Sequence, residues 1–142
     1  MNIDILLSEL DKLNIPIDKF AITSSGSMGI RNIREIGDLD IIVYPEIWQD
    51  LSKKYKIVIE NNINFIYIGN IQVIGDKSIY ANQKFGDIIN QIDNADLING
   101  HRYVQLKTVL EIKKQKNQPK DINDVKLIEE YFVAMHGFTL RV

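Results

Sequence analysis

Two aspartates, Asp38 and Asp40, stand on either side of a leucine and directly precede the apolar residues 41–43. Because side chains alternate between the two faces of a strand, a strand here points both carboxylates the same way, with their Cα atoms about 6.5 Å apart. Two carboxylates this close repel each other unless a cation lies between them, and divalent ions such as Mg²⁺ prefer oxygen ligands. The pair therefore predicts a divalent metal site, and metal pairs in phosphoryl-transfer sites lie roughly 3.5–4 Å apart.

An Asp-x-Asp pattern is also common in solvated turns, because aspartate is favoured there. The residues that follow Asp40 argue against a turn, since residues 41–43 form an apolar run that is typical of a buried strand. Carboxylates beside a buried strand need a partner. We therefore favour the metal-binding interpretation.

A short polar turn precedes the two aspartates. Residues 24–27 read Ser-Ser-Gly-Ser and follow the apolar residues 20–23, which predict a strand. Gly26 permits a close approach of the backbone to a bound group. A short helix expected near residues 27–33 would point its first N–H groups at an anion, and the Ser27 hydroxyl could cap that helix or donate to a phosphate oxygen. A strand, a phosphate-sized turn, a short helix and two carboxylates are together suited to a nucleoside triphosphate with its metal ion.

Two arginines add positive charge after this turn. Arg31 and Arg34 lie three residues apart, so a helical turn would place them on the same side. Because arginines on a helix are commonly solvated, we treat both as secondary candidates for binding phosphate.

The segment from the first of these strands to the second resembles the nucleotidyltransferase superfamily that includes polymerase beta, and in particular its small, minimal nucleotidyltransferase domains. The signature of these domains is a glycine-serine pair, a spacer, and an acid-hydrophobic-acid triplet on a strand. Gly26 and Ser27 fit the pair, and Asp38 follows Ser27 by eleven residues, the usual spacing. In a second register Ser24 and Ser25 take the place of the pair, and the sequence leaves both registers open.

The resemblance implies an enzyme that transfers a nucleoside monophosphate from a nucleoside triphosphate to a hydroxyl of a small molecule, a protein or an RNA end. It implies that Asp38 and Asp40 are catalytic residues and ligands of a magnesium or manganese cofactor. It also implies that Ser25, Gly26 and Ser27 bind the phosphates. The alternatives are a degenerate relative that binds a nucleotide or a partner protein without turnover, and an interaction module whose acids are structural. Toxin–antitoxin and phage-defence settings are compatible with the resemblance.

A second resemblance covers residues 98–132, where many small nucleotidyltransferase-like proteins carry a helix, a Pro-Lys-Asp step and another helix. Residues 119–121 form this step, although the glycine and arginine often found before the proline are absent. Lys113 and Lys120 could reach back to the phosphates of a nucleotide. The alternative, that the lysines of residues 113–116 complement the C-terminus of their helix, is physically reasonable because cations are favoured there.

Active members of this family usually carry a third carboxylate on a later strand, where it accepts the proton of the attacking hydroxyl. The best-placed residue here is Gln72, which can donate and accept hydrogen bonds but cannot ionise. If its strand lies beside that of Asp38, residue parity points Gln72 towards the acids, where its amide could donate to a carboxylate. Glu60 and Asp76 lie near predicted strand ends and are the alternative bases.

Hydrophobic periodicity predicts the elements that position these residues. Apolar spacings of three and four residues predict an N-terminal helix, a helix over residues 45–53, and three C-terminal helices, of which the last is capped by Asp121. Short apolar runs predict strands at residues 20–23, 39–43, 56–59, 64–68 and 71–74. The expected fold is α+β: a nucleotidyltransferase-like mixed sheet of about five strands, with helices packed on it and a helical C-terminal part.

Length and composition favour one domain over residues 1–142, with a sheet core at about 18–76 and the helical part at about 82–135. The chain has no cysteine, which excludes disulfides and thiolate chemistry, and its net charge of −2 implies no strong non-specific binding to nucleic acid. No apolar run approaches the roughly 20 residues of a membrane span, and the N-terminus lacks the pattern of a signal peptide. We therefore expect a cytoplasmic protein with no membrane partner.

Overall fold

The structure, a computed structural model, describes residues 2–75 and 86–136. Within these ranges the chain has an α+β fold of six helices and seven strands. The helices are α1 (Ile3–Asp11), α2 (Ser25–Gly29), α3 (Pro45–Lys54), α4 (Ile88–Asp93), α5 (Leu106–Lys116) and α6 (Pro119–His136). The strands are β1 (Phe20–Thr23), β2 (Leu39–Val43), β3 (Ile57–Glu60), β4 (Ile63–Ile68), β5 (Ile71–Ile74), β6 (Asp96–Ile98) and β7 (His101–Tyr103).

The seven described strands form one mixed sheet in the order β3-β4-β5-β2-β1-β7-β6. β2 lies at its centre, antiparallel to β1 and parallel to β5. The register pairs Asp40 with Thr23 on β1 and with Gln72 on β5. Because paired residues share a face of the sheet, Asp40 and Gln72 lie on the same face.

The sheet is larger than the five strands that the sequence predicts. β6 and β7 lie in a segment for which only helices are expected, and they pair as an antiparallel hairpin. Asn99 and Gly100 link them with φ angles of 50° and 89°. These values suit a two-residue hairpin turn, for which Asn-Gly is the strongest short-range sequence signal. Strands of three residues are too short to show alternation, so this turn was the signal that could have predicted them.

The other predicted elements lie close to the observed ones, apart from α2, which was expected near residues 27–33, and the start of the last helix. Trp48 and Leu51 of α3 pack against the sheet as expected. α6 begins at Pro119, so the prediction of Asp121 as its N-cap is wrong. Asp121 lies in the first turn of the helix, where its Oδ2 accepts a hydrogen bond of 3.1 Å from the Gln118 N–H. A carboxylate in this position reaches back to a backbone donor at the start of the helix.

The two faces of the sheet carry separate hydrophobic layers. On one face Leu6 and Leu10, one turn apart on α1, pack with Leu39 and Ile41 of β2. The layer on the other face includes Ile42 of β2, Ile92 of α4, Val109 of α5 and Ile128 of α6. Asp40 shares the face of Ile42 because the two are two residues apart on one strand. The carboxylate therefore opens towards the side of the sheet that α5 and α6 cover.

Candidate functional site

A cleft of about 380 Å³ opens on the side of the sheet that carries Asp38 and Asp40. Side chains from the turn before α2, from β2, β4 and β5, and from α5 and α6 converge on it. The lining residues are Ser24, Ser25, Arg34, Gly37, Asp38, Asp40, Glu60, Asn61, Ile63, Phe65, Tyr67, Gln72, Lys113, Lys116, Gln118, Lys120 and Asp124. Four of them are carboxylates and four are cations. We call this the acidic–basic cleft.

A larger depression of about 770 Å³ lies along α4 and α5. Among its described lining residues only Lys107 and Glu111 carry charge. Charged groups that converge on one site are what acid, base and metal chemistry requires. The acidic–basic cleft is therefore the better candidate for a functional site, although it is the smaller of the two.

Both aspartates of the Asp-x-Asp pattern line the cleft, as strand parity predicts. Asp38 Oδ2 accepts a hydrogen bond of 2.9 Å from Gln72 Nε2, so the predicted contact between this amide and a carboxylate is confirmed. Asp40 is only partly exposed, and its Oδ1 is buried without a hydrogen-bond partner among the described residues. A buried carboxylate oxygen without a partner costs free energy, which a bound cation would offset.

The environment of Asp40 disfavours its charged form. Burial, and after it the negative charge of Asp38, raise the pKa of Asp40 from an ordinary 3.8 to about 6. Three neighbouring lysines lower the pKa through their positive charge, but their effect is smaller; these are Lys116, Lys113 and Lys120. A cation between the two carboxylates would reverse this balance, because a nearby opposite charge favours the ionised form.

The residues around Asp38 and Asp40 fit a divalent ion that takes part of its coordination from elsewhere. The described part of the chain contains no group of three or more His, Cys, Asp or Glu side chains that could hold a metal ion. Two carboxylates are nevertheless a common protein contribution to a Mg²⁺ site, since this ion keeps several waters and binds substrate phosphates. The pair could therefore hold magnesium together with the phosphates of a bound nucleotide.

A buried ion-pair network borders the two aspartates. The Asp124 carboxylate of α6 binds Arg34 in a bidentate manner, with distances of 2.8 Å to Nε and 3.0 Å to Nη2. The same carboxylate accepts a hydrogen bond of 2.9 Å from Lys113 Nζ of α5. Burial alone would raise the pKa of Asp124, but the hydrogen bonds from Arg34 and Lys113 outweigh it and lower the pKa. Asp124 therefore remains a carboxylate and fixes both cations.

Lys113 also connects this network to the serine turn. Its side chain is 4% exposed, and its Nζ donates a hydrogen bond of 3.3 Å to Ser24 Oγ. Ser24 has φ 55° and ψ −130°, a backbone conformation that side-chain-bearing residues rarely adopt. A buried ammonium group thus stands beside a hydroxyl at the point where β1 ends and α2 begins.

The serine turn reaches the cleft through Ser24 and Ser25. Both residues line it, whereas Ser27 is fully buried. The Ser27 hydroxyl donates to the carbonyl oxygen of Val104 at 3.0 Å and lies 3.4 Å from that of Ile22. Ser27 is therefore held by the backbone of the core, and Ser24 and Ser25 are the serines of this turn that line the cleft.

Gly26 also faces the core. A Cβ atom at this position would lie 2.3 Å from Ile22 Cγ2 and 3.2 Å from Leu39 Cδ2. Glycine is needed here because α2, which begins two residues earlier than predicted, packs directly on the sheet. The structure thus gives Gly26 a packing role, and the close approach that the sequence indicates is to Ile22.

The two arginines that follow the turn lie in different surroundings. Arg34 lines the cleft, as expected, with its guanidinium bound to Asp124. Arg31 is absent from the cleft lining and instead forms an ion pair of 2.9 Å with Asp96 of β6. Its Nη1 also donates to the Ser27 carbonyl at 2.8 Å. Arg31 therefore ties α2 to the β6–β7 hairpin.

The hairpin of β3 and β4 contributes an aromatic and acidic edge to the cleft. Phe65 and Tyr67 are two residues apart on β4, and their rings stack with centroids 5.5 Å apart. The Tyr67 hydroxyl donates a hydrogen bond of 3.1 Å to Glu60 Oε1. Glu60 lines the cleft, while Asp76, the other alternative base, lies outside the described residues. The structure therefore brings Glu60 to the site.

Lys120 lines the cleft, as the second resemblance implies, and Lys116 lies there with it. The main residue that sequence reasoning missed is Asp124. Its signal is present, since Asp121 and Asp124 stand three residues apart at the start of a helix and so share one side of it. That Arg34 is the partner of Asp124 could not be inferred from helical spacing, because the two residues are ninety positions apart in the chain.

No protein-family model, no curated protein and no solved structure matches this chain. Across residues 2–75 and 86–136, no helix has both the length and the apolar character needed to cross a membrane. The acidic–basic cleft is therefore the feature from which a function can be argued.

Asp40→Asn should stabilise the metal-free protein at neutral pH. An acid whose pKa is raised on folding destabilises the native state above that pKa, and this penalty disappears as the pH falls towards the unfolded value. With values of about 6 and 3.8, the gain should be up to about 3 kcal/mol at about pH 7.5 and should fall to about 0.5 kcal/mol at about pH 4. Urea unfolding of both proteins at the two pH values measures it.

Asp50→Asn, at an exposed position on α3, is the matched control and should change the free energy of unfolding by less than about 0.5 kcal/mol at either pH. A gain from Asp40→Asn that is equal at both pH values would show that the Asp40 carboxyl does not titrate near pH 6.

Proposed function

We propose that this protein is a metal-dependent nucleotidyltransferase, which transfers a nucleoside monophosphate from a nucleoside triphosphate to a hydroxyl acceptor. The observation that carries the proposal is the convergence of Asp38 and Asp40 with Ser24, Ser25 and basic side chains in one cleft. The resemblance of residues 20–43 to minimal nucleotidyltransferase domains implies the same activity.

Each side of the cleft suits a different part of the reaction. Asp38 and Asp40 would hold magnesium or manganese, which when bound neutralises phosphate charge and stabilises the attacking and leaving oxygens. The Ser25 hydroxyl can donate a hydrogen bond to a phosphate oxygen. Lys120 is exposed at the cleft and can meet the charge of the triphosphate or of the departing pyrophosphate.

The cations that are bound to Asp124 have a different role from Lys120. Arg34 and Lys113 are already bound to Asp124, so they shape the cleft and its electric field more than they supply ligands. Lys113 fixes the Ser24 hydroxyl with its hydrogen bond. Preorganised dipoles and charges of this kind need no rearrangement when a substrate binds.

The reaction forms a bond between the acceptor oxygen and the α-phosphorus and breaks the bond from that phosphorus to the oxygen of pyrophosphate. The proton of the acceptor hydroxyl must be transferred to a base. Gln72 cannot take it, because an amide does not ionise. Among the described residues Glu60 is a carboxylate that lines the cleft outside the metal pair and the Asp124 network, and it is the base that we propose for an active enzyme.

Gln72 favours a second candidate function, which is nucleotide binding without turnover. It pairs with Asp40 in the register of the sheet and donates to Asp38, where active relatives usually carry a third carboxylate. Its hydrogen bond offsets part of the repulsion between the acids when no metal is bound. A protein of this kind would bind metal and triphosphate and release no pyrophosphate.

The decisive experiment compares the wild type with the double variant Asp38→Asn and Asp40→Asn. Thermal shift and calorimetry with Mn²⁺ and each of ATP, GTP, CTP and UTP should show metal-dependent stabilisation of the wild type. The double variant should fold and should lose this stabilisation, because its amides replace both charged metal ligands. Unchanged binding by the double variant would exclude these carboxylates as ligands and end the proposal.

The control for this experiment is the double variant Asp18→Asn and Asp50→Asn, which removes two exposed carboxylates outside the cleft. It should bind as the wild type does. Pyrophosphate release, measured with candidate hydroxyl acceptors, then separates the transferase from a protein that only binds.

Ser25→Ala should weaken binding and leave stability nearly unchanged, whereas Ser27→Ala should mainly lower stability. Ser25→Ala removes a hydroxyl that lines the cleft, so Mn²⁺-triphosphate affinity should fall several-fold with little change in stability. Ser27→Ala leaves the buried Val104 carbonyl without its donor and should cost about 1–3 kcal/mol of stability. Calorimetry and urea unfolding of both variants test this, and a larger loss of affinity from Ser27→Ala would contradict the assignment.

Gln72→Glu should destabilise the metal-free protein and raise its affinity for Mn²⁺. The variant replaces the hydrogen bond to Asp38 with a third negative charge, which repels the acids but gives the metal another oxygen ligand. If it restores a base, pyrophosphate release should increase by about 10²–10⁴-fold.

Gln49→Glu, on exposed α3, adds the same charge away from the cleft and serves as the control. Metal affinity and metal-free stability that both equal those of the wild type would show that Gln72 has no electrostatic coupling to a metal site.

A further inference from the structure

β3 is the outermost strand at one end of the sheet. It pairs with β4 on its inner side, and among the described residues no strand pairs with its outer side. Ile57 is 41% exposed and Ile59 is 69% exposed. An edge strand with unpaired backbone groups and exposed apolar side chains is a template for pairing with another chain.

The exposed isoleucines lie on the face of the sheet that α1 and α3 cover farther in. Ile57 is paired with the buried Ile66, which belongs to the same hydrophobic layer as Leu6 and Trp48. The layer therefore continues to the edge of the sheet, and within residues 2–75 and 86–136 no element covers Ile57 and Ile59. A partner strand placed beside β3 would extend this layer.

The charges beside β3 are self-complementary. Lys56 precedes the strand and Glu60 ends it, and Val58 lies midway between them. An antiparallel pair of two copies with its twofold axis at Val58 places Lys56 of each copy opposite Glu60 of the other. The same register places Ile57 opposite Ile59, and both types of cross-strand pair are favourable.

Other symmetric registers fit less well. An axis at Ile59 would pair Val58 with Glu60, and an axis at Glu60 would bring two Glu60 side chains together. An axis at Ile57 would pair Lys56 with Val58. The register at Val58 therefore satisfies the charges and the apolar side chains together.

We propose that the outer edge of β3 binds a second copy of this chain in antiparallel register about Val58. The two sheets then form one continuous sheet across a twofold axis. The second copy adds a cation to the acidic–basic cleft, because Glu60 lines the cleft and its opposite residue is Lys56 of the second copy. This dimer does not depend on the proposed function, since it follows from the sheet edge alone.

The interface is small, so the association is weak and concentration-dependent. Stable interfaces generally bury at least about 1,200 Å² in total, and a five-residue strand pair with its flanking side chains falls towards or below this size. Sedimentation equilibrium of the full chain from about 5 µM to about 1 mM covers the expected range of dissociation constants. The wild type should show a monomer–dimer equilibrium.

A charge exchange tests the register. Lys56→Glu and Glu60→Lys should each weaken the homodimer about tenfold or more. Each variant places like charges opposite each other, and the twofold axis makes this contact occur twice in the interface. An equimolar mixture of the two variants should restore the affinity, since every cross-strand charge pair is again opposite in sign. Circular dichroism and thermal unfolding of each variant establish that both are folded.

Leu97→Lys is the matched control, because Leu97 is 71% exposed on β6 at the other end of the sheet. It should leave the dimer unchanged, whereas Ile59→Lys should abolish it. A wild type that stays monomeric over the whole concentration range overturns the proposal. Wild-type dimer affinity in both Lys56→Glu and Glu60→Lys would overturn it as well.

Discussion

The acidic–basic cleft depends on ion pairs made by buried carboxylates of α6, above all by Asp124. Asp124 binds Arg34, which follows α2, and Lys113, which belongs to α5, and so connects α5 and α6 to a part of the chain ninety residues before Asp124. A buried cation without its partner is costly, and removing one member of such a network leaves the others uncompensated. The positions of the serine turn, of Lys113 and of α6 are therefore coupled through this network.

The cleft contains a second electrostatic arrangement that works against stability. Asp38, which directly precedes β2, and Asp40 line the same cleft; among the described residues Asp38 Oδ2 accepts a hydrogen bond from Gln72, whereas Asp40 Oδ1 has no partner. The Asp124 network is satisfied by protein groups, whereas the aspartate pair is not. This contrast is physically informative, because sites that act on ligands commonly retain charges that the folded protein alone does not neutralise.

The sequence predicted the parts of the site that follow from strand geometry. Two-residue alternation gave the common face of Asp38 and Asp40, and the parity of β5 gave the contact between Gln72 and Asp38. Arg31 shows where this reasoning stops. It shares a sequence pattern with Arg34, but it binds Asp96 on a hairpin that the apolar periodicity does not reveal.

The serine turn shows a different limit. The sequence leaves open whether Gly26-Ser27 or Ser24-Ser25 faces a ligand, because either pair could precede a helix. Which hydroxyl faces the cleft depends on which one is hydrogen-bonded within the core. Ser27 meets the Val104 carbonyl only after β1 and β7 have paired, because Val104 directly follows β7. The fold shows the same pattern, since its long periodic elements were predicted and the three-residue strands β6 and β7 were missed.

The raised pKa of Asp40 has a consequence for how the cleft would respond to its surroundings. If the cleft binds a metal ion as proposed, then near a pKa of about 6 a proton and the metal ion would compete for the same carboxylate oxygens. Below that pH each tenfold rise in proton concentration would weaken metal binding by up to about tenfold, and binding would release a proton to the solvent. Occupancy of the cleft would thus report the acidity of its medium as well as the concentration of the ion.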